Sequence, residues 1–362
     1  NSRWAMAYDL KNQAMTHLWM NKPEKAVPLF TTALDMARGI GNQINVAKIL
    51  VGYAESLERM EQLQESENRY KEALSLSQGM YLRETQWRAL YGLGRLSLTR
   101  GDRPKARGFL SRSIEVIEET RAEIKLEQLK DGFIQGKMSV YETLVSLLVE
   151  MGNPREAFNV AERSRARNLI DLLGNQRLTL KGAIEQERYD EQKRLTSRIR
   201  EYEALVAQAK TEAERRTYEK GLTRTTDAYT DLMLRIQTEN PELASLISVN
   251  PLDVTKIQSL VEPEVALLNF YVVPDQVLCW VVTPDSVTLH QTPLGRTTLR
   301  ETVLQYRRRL QNLEPVRDIS KTLYAWLLSR VFSQLRTAKT LGIIPHDALH
   351  HLSMATLYDG RE

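Results

Sequence analysis

The strongest constraint on this chain is a short segment that returns four times. Met20–Ala26 (MNKPEKA) recurs as Met60–Ser66 (MEQLQES), Arg100–Ala106 (RGDRPKA) and Met151–Ala157 (MGNPREA), each between two runs of apolar residues at helical spacing. The small residues that close these segments, Ala26, Ser66, Ala106 and Ala157, lie 40, 40 and 51 positions apart. A fixed period of this length marks stacked helical hairpins, since one hairpin exposes an apolar face that only a neighbour can cover. Residues 1–175 are therefore expected to form an α-solenoid.

Aligning the repeats on the closing small residue brings further columns into register. Leu10, Ala14 and His17 in the first repeat match Leu50, Ala54 and Leu57 in the second, and Leu90, Gly94 and Ser97 in the third. Phe30, Tyr70, Leu110 and Ala161 stand four residues after the small residue, and Ala33, Ala73, Ser113 and Ser164 stand seven after it. Alternating large and small residues let one helix approach the next closely, and the columns resemble the tetratricopeptide pattern. A 40-residue period is longer than the usual ~34 of that pattern, so each helix should gain about a turn. Gln128–Gly136 is placed in an extension of the third hairpin.

Such an array is either a spacer or a groove for a peptide or partner helix. If it is a groove, its first helices line it, and the repeat register selects Tyr8, Lys11, Lys48, Glu55, Arg88, Tyr91 and Arg95 as partner-binding residues. Lys and Arg number 50 against 46 Asp and Glu, a net charge of +4 spread along the chain, so no direct nucleic-acid partner is expected. The single cysteine, Cys279, excludes an internal disulfide. No run approaches the ~20 apolar residues of a membrane span. No membrane partner is expected, and a reducing, cytoplasmic compartment fits best. Trp4, Tyr8 and Leu10 are already in helical phase and Tyr358–Glu362 reads as a turn leading onward. The expectation is that no targeting segment precedes the fold and that both ends are cut from a longer chain.

Between 176 and 240 charge is dense. Leu195, Ile199, Tyr202, Val206, Ala209 and Ala213 recur at steps of three and four, and Leu222, Thr225, Tyr229, Leu232 and Ile236 do so in another phase. The break near Thr211–Thr217 predicts a long antiparallel helical hairpin, or a single kinked helix. Residues 241–362 change to strand character. Val265–Val273, Gln276–Val282 and Ser286–Thr292 are rich in β-branched and aromatic residues and are separated by Pro274-Asp275 and Pro284-Asp285-Ser286. They read as an antiparallel meander. Helices over Leu299–Asn312 and Ile319–Thr337 follow, then a strand over Lys339–Ile344 ending at Pro345. Strand, helices, strand opens an α/β sheet.

The repeat array, the run SRARNLIDLL, the helical spacer, the strand pair LLNFYVV and VLCWVV, and the closing IIPHDALHHLSMATLYDG together resemble the CHAT family, caspase-like peptidase domains associated with tetratricopeptide repeats. The closing motif matches at Pro345, Leu349, His350, Leu352 and Leu357, with His346 beside them. It departs at Asp347, where glycine is common, and at Ser353 and Met354, where Pro-Phe is common. The resemblance implies a fold of α + α/β type: an N-terminal solenoid over 1–175, a helical hairpin spacer over 176–240, and over 241–362 the first part of a caspase-like domain. It implies a cysteine endopeptidase that docks a protein partner through its array and cleaves a protein substrate. Some relatives act in bacterial defence, which makes a larger defence complex an implied partner. In the family the catalytic His and Cys lie downstream of the closing motif, so no catalytic residue is assigned here. The alternative is a non-enzymatic scaffold.

Other groups attract attention on spacing alone. Cys279 sits mid-strand among apolar neighbours and reads as a buried side chain. His346-Asp347-Ala348-Leu349-His350 imitates the HExxH spacing of zinc sites but follows a strand and a proline, and no metal or cofactor is assigned. Arg163, Arg165 and Arg167, and Arg307–Arg309, read as solvated helix faces.

Overall fold

A computed structural model describes residues 3–123, 137–174, 183–208, 211–239, 252–335 and 338–360. The proposed extension at 128–136, and Ala209 of the hairpin pattern, lie outside the described residues. The chain divides into two compact units, with the boundary between Asn153 and Pro154.

The first unit holds α1 (Arg3–Trp19), α2 (Pro23–Gly39), α3 (Gln43–Arg59), α4 (Leu63–Gly79), α5 (Arg83–Thr99), α6 (Arg103–Glu123) and α7 (Met138–Glu150). The first five helices are each 17 residues long. A helix and its three-residue turn make half of the 40-residue period, which is how the extra turn per helix is accommodated. The turns share one geometry. Their central residues Asn21, Gly41, Glu61, Tyr81, Gly101 and Gly152 all have positive φ, between 53° and 77°. The residue after each donates its N–H five residues back, from Lys22 to His17, Asn42 to Ala37, Gln62 to Leu57, Leu82 to Ser77, Asp102 to Ser97 and Asn153 to Leu148. This closes the last carbonyls of each helix in a Schellman-type cap.

The aligned small residues sit at the tightest contacts. Ala26, Ser66 and Ala106 are completely buried, as are Ala14 and Ala54 on the first helices. Ser66 Oγ donates to the Ala54 carbonyl at 2.8 Å and Ser113 Oγ to that of Trp87 at 2.9 Å, so hydroxyls can replace alanine there. Phe30 and Tyr70 pack onto Gly52 and Gly92 of the following first helix. A β-carbon would lie 2.6 Å from the Phe30 ring at Gly52, and 2.2 Å from the Tyr70 ring at Gly92. First helices also touch one another, α1 against α3 and α3 against α5. They therefore form the inner face of the array.

The second unit begins with α8 (Pro154–Gly174), followed by α9 (Ala183–Gln208), α10 (Glu212–Glu239) and the short α11 (Val254–Leu260). Helices α9 and α10 form the hairpin. Thr211 and Glu214 cap its second arm reciprocally, each side chain accepting the other's backbone N–H at 3.2 Å. The pattern residues Thr225, Leu232 and Ile236 are buried, and Arg188 near the start of α9 pairs with Glu239 at the end of α10.

The sheet follows as β1 (Val265–Val272), β2 (Val277–Val282) and β3 (Val287–Thr292), then α12 (Arg296–Gln311), α13 (Arg317–Leu327) and β4 (Thr340–Ile344). Strand order is β3-β2-β1-β4, with the meander antiparallel and β4 parallel to β1. Helix α13 stops ten residues before the Thr337 limit expected from periodicity. Leu328 caps it, and a tighter turn over Phe332–Leu335 brings Val331 and Leu335 onto the core. One face of the sheet, through Ala266, Leu268, Phe270, Val272, Cys279 and Val281, packs on α12, α13 and the turns after β4. The other face meets α8. Phe158 packs edge-on against Trp280 with centroids 5.6 Å apart, and Trp280 Nε1 donates to the Pro154 carbonyl at 2.8 Å. Every residue of β2 is consequently buried, the pattern of a strand covered on both faces.

That packing corrects the reading of Arg165 on α8 as part of a solvated face. Arg165 pairs with Glu162, donates to Asn269 Oδ1 at 3.1 Å and reaches the Phe270 carbonyl. Asn269 donates back to Glu162 at 2.9 Å, and the buried Ser164 hydroxyl lies 2.8 Å from that of Tyr271. The helix assigned by repeat register to the fourth hairpin is thus a layer of the α/β unit.

Candidate functional site

The inner face of the first unit gathers the seven residues selected by the repeat register onto α1, α3 and α5, but in three different settings. Lys11, Lys48 and Arg88, one from each helix, line a cleft of ≈ 370 Å³ together with Met15, Trp19 and Glu84. Lys11 lies 4.3 Å from the centre of the Tyr8 ring, and Tyr8 stacks on Trp4 at 5.7 Å. Burial pulls the Lys11 ammonium below the ordinary lysine value; Tyr8 opposes this and the charge of Lys48 reinforces it.

Glu55 and Arg95 line a second cleft of ≈ 660 Å³ with Glu58 and Arg59. Here both arginines already have carboxylate partners. Arg95 grips Glu58 in a bidentate pair at 2.8 and 2.7 Å, and the Tyr70 hydroxyl donates to the same carboxylate at 2.9 Å. Burial and the Glu58 carboxylate push the Tyr70 phenol well above its ordinary value, with Arg95 opposing. Glu55 is shared between Arg59 at 2.8 Å and Arg88 at 3.5 Å. Tyr91 is the third setting: its ring lies 4.4 Å from the Arg95 guanidinium and its hydroxyl 3.2 Å from Thr143 Oγ1 on α7. Glu58, Arg95 and Tyr91 thus tie successive first helices together, while Lys11, Lys48 and Arg88 face open cleft.

The register missed Met15 and Trp19, the latter 74 % exposed. Their signal was present, because Tyr8, Lys11, Met15 and Trp19 follow one another at steps of three and four along one stripe of α1. Glu84 was missed as well. It bonds the Trp87 indole at 2.8 Å and the Lys137 ammonium at 3.3 Å, so its charge is largely spent outside the cleft.

In the second unit the closing motif forms the turns that follow β4. His346 is stacked on Tyr271 at 4.3 Å, and its Nδ1 accepts the Val272 N–H at 3.0 Å. Burial, then the charge of Arg165, holds this imidazole down to about 3, so it stays neutral with its proton on Nε2. The β1–β4 ladder ends at the pair Asn269–Ile344, and His346 continues it by satisfying the next free donor. Asp347 takes φ 54°, a left-handed position where glycine is unstrained and aspartate is tolerated. It is held by Arg296 at 3.2 Å and Arg300 at 2.9 Å. Burial works against its ionisation, but the Arg300 and Arg296 contacts win and keep its carboxyl below the ordinary range. His346, the first imidazole of the zinc-like spacing, and Asp347, in the place of its base, are therefore engaged elsewhere. Leu349 and Leu352 are in the core with Leu357 packed against it, Pro345 is half-buried, and His350 is exposed. Cys279 is buried between its cross-strand neighbours Phe270 and His290, and burial pushes its thiol up to about 12.

No helix among the described residues is long and apolar enough to cross a membrane. No curated protein matches the chain. Among solved structures it is similar to aspartyl phosphate phosphatase F from Bacillus subtilis, at 16% identity and a TM-score of 0.40 over 66% of this chain and 61% of that one. The chain's match thus spans less than two thirds of the phosphatase. It is also similar to the Rap conjugation gene regulator of plasmid pLS20 in complex with the Phr* peptide, at 12% identity and a TM-score of 0.37 over 67% of each chain. A third likeness is to a Podosopora anserina putative kinesin light chain with nearly identical TPR-like repeats, at 13% identity and a TM-score of 0.37, over 66% of this chain and all of that one. Residues 5–79 match the family model described as tetratricopeptide repeat, so the helical hairpins at the start of the array are repeats of that type.

Proposed function

We propose that this protein docks a protein or peptide partner along the inner face of its repeat array. The observation that carries the reading is the convergence of side chains from α1, α3 and α5 on one open cleft, with Trp19 exposed beside Met15. A spacer has no need of an exposed indole on its inner face, whereas aromatic anchors are what peptide grooves use. The test compares inner- and outer-face variants of the chain in their recovery of a partner from the source cells. Trp19→Ala with Lys48→Glu should lose the partner and Lys25→Glu, at an exposed position on α2, should keep it. Retention by the inner-face variant contradicts the reading.

A finer proposal concerns the second unit. The parallel pairing of β4 with β1, and the turn motif after β4, favour the opening of a caspase-like CHAT domain over residues 241–362, with 1–175 as the docking array and 176–240 as spacer. Helix α8 serves both, by register in the array and by packing on the sheet. On this reading the whole protein is a cysteine endopeptidase gated by its partner, acting within a larger defence complex, and its dyad is encoded after Glu362. The gene beyond that codon should specify a His and a Cys at the ends of two successive strands. A continuation lacking both contradicts the peptidase reading and leaves the docking array standing as a non-enzymatic scaffold.

A further inference from the structure

The charges of the cleft between α1, α3 and α5 are unevenly compensated. Arg88 has Glu55 at 3.5 Å. Lys11 and Lys48, which feel each other's charge, have no carboxylate partner among the described residues. The one acidic side chain lining the cleft, Glu84, is drawn to Lys137. Folding has therefore brought two like charges together around partly apolar walls, and no acid within the described array answers them. Elsewhere on the same face the chain does answer its cations, Arg95 with Glu58 and Arg59 with Glu55. Cations left without a carboxylate in the open cleft are what an anionic ligand would relieve.

We infer that the partner segment seated in this cleft is acidic, presenting Asp or Glu side chains to Lys11, Lys48 and Arg88 and an apolar side chain to Met15 and Trp19. This rests on the docking reading above and adds the partner's chemistry. The cations come from three consecutive first helices. With neighbouring helix axes ~8–10 Å apart, they span roughly 16–20 Å. One terminal carboxylate cannot satisfy such a row, whereas an extended segment of about five or six residues can. Side-chain carboxylates are therefore the source to which the geometry commits. The second cleft, whose two arginines are already paired and which Glu61 also lines, offers an acidic segment no comparable attraction.

The test is selection from a displayed library of random dodecapeptides against the 362-residue chain, followed by affinity measurement on synthetic, fluorescein-labelled copies. Selected peptides should carry an excess of Asp and Glu. Their affinity should fall ~10-fold or more with Lys11→Glu or Lys48→Glu, fall as salt is raised, and survive amidation of the peptide C-terminus. Circular dichroism of each variant confirms that the array is folded. Peptides that are neutral or basic, yet lose binding with Trp19→Ala, overturn the acidic inference and leave the docking reading intact. Acidic peptides indifferent to both lysine reversals also overturn it, as does dependence on a free terminal carboxylate. Failure of any peptide to be enriched, or binding indifferent to every inner-face substitution, overturns the docking reading as well.

Discussion

Gly92 and Tyr70 are a pair that the array cannot separate. A methyl group at Gly92 would start 2.2 Å from the Tyr70 ring, whose hydroxyl is held by Glu58, so the ring cannot swing away without breaking that bond. Gly92→Ala should therefore destabilise the first unit by about 1–3 kcal/mol in thermal or urea unfolding, although alanine is the better helix former. A neutral or stabilising outcome would show that the ring relocates freely. Glu67 makes a second prediction. Hydrogen bonds from Lys71 and Arg100 hold this buried carboxyl at about 2. A carboxyl depressed below its unfolded value of ~4.3 adds stability above that value and loses it as pH falls through the folded one. Glu67→Gln should cost about 1–3 kcal/mol at pH 7, and its deficit should shrink between pH ~4.5 and ~2. A pH-independent deficit would assign the loss to packing. The Ala26, Ser66 and Ala106 columns were legible in the sequence because small residues at a fixed period have few other causes. Gly52 and Gly92 were not, because their necessity lies in rings 22 residues earlier that no local pattern connects to them.

Helix α8 carries two messages in one sequence. Its small residues Ala157, Ala161 and Ser164 continue the repeat columns, while Phe158, Glu162 and Arg165 seat it on the sheet. Periodicity reported only the first message. Charged residues on a helix read as solvent-facing unless their partners are visible, and the partners of Glu162 and Arg165 are Asn269 and Phe270, more than a hundred residues away. The strands were easier to read, because runs such as VLCWVV are rich in β-branched and aromatic residues and bounded by Pro-Asp turns. The early end of α13 was not legible, since Val331 and Leu335 keep helical spacing and only the core they enter explains the tighter turn. Phe158→Ala, which empties the contact with Trp280, should lower the unfolding transition of the unit holding the sheet by about 3–5 kcal/mol. Calorimetry would check this, with an unshifted transition contradicting the assigned role of α8.

At the scale of the whole molecule, the repeats supply an inner face and the sheet supplies a layer that includes a helix in the repeat register. The seven inner-face residues chosen from the register all lie on first helices, yet they divide by chemistry. Arg95, through its pair with Glu58, and Tyr91 link helices to one another, and Lys11, Lys48 and Arg88 are left facing a cleft with Trp19 beside them. The register could place residues on a face, but could not say which charges were spent on neighbours, because those pairings cross from one repeat to the next. The central claim is that the face left available is where a partner binds. Hydrogen–deuterium exchange of the 362-residue chain, with and without a saturating peptide selected for binding, tests it most directly. The account predicts slowed exchange concentrated in α1, α3 and α5 around Lys11–Trp19, Lys48–Val51 and Glu84–Arg88. Protection confined to α2 and α4, or to the unit that begins at Pro154, would contradict it.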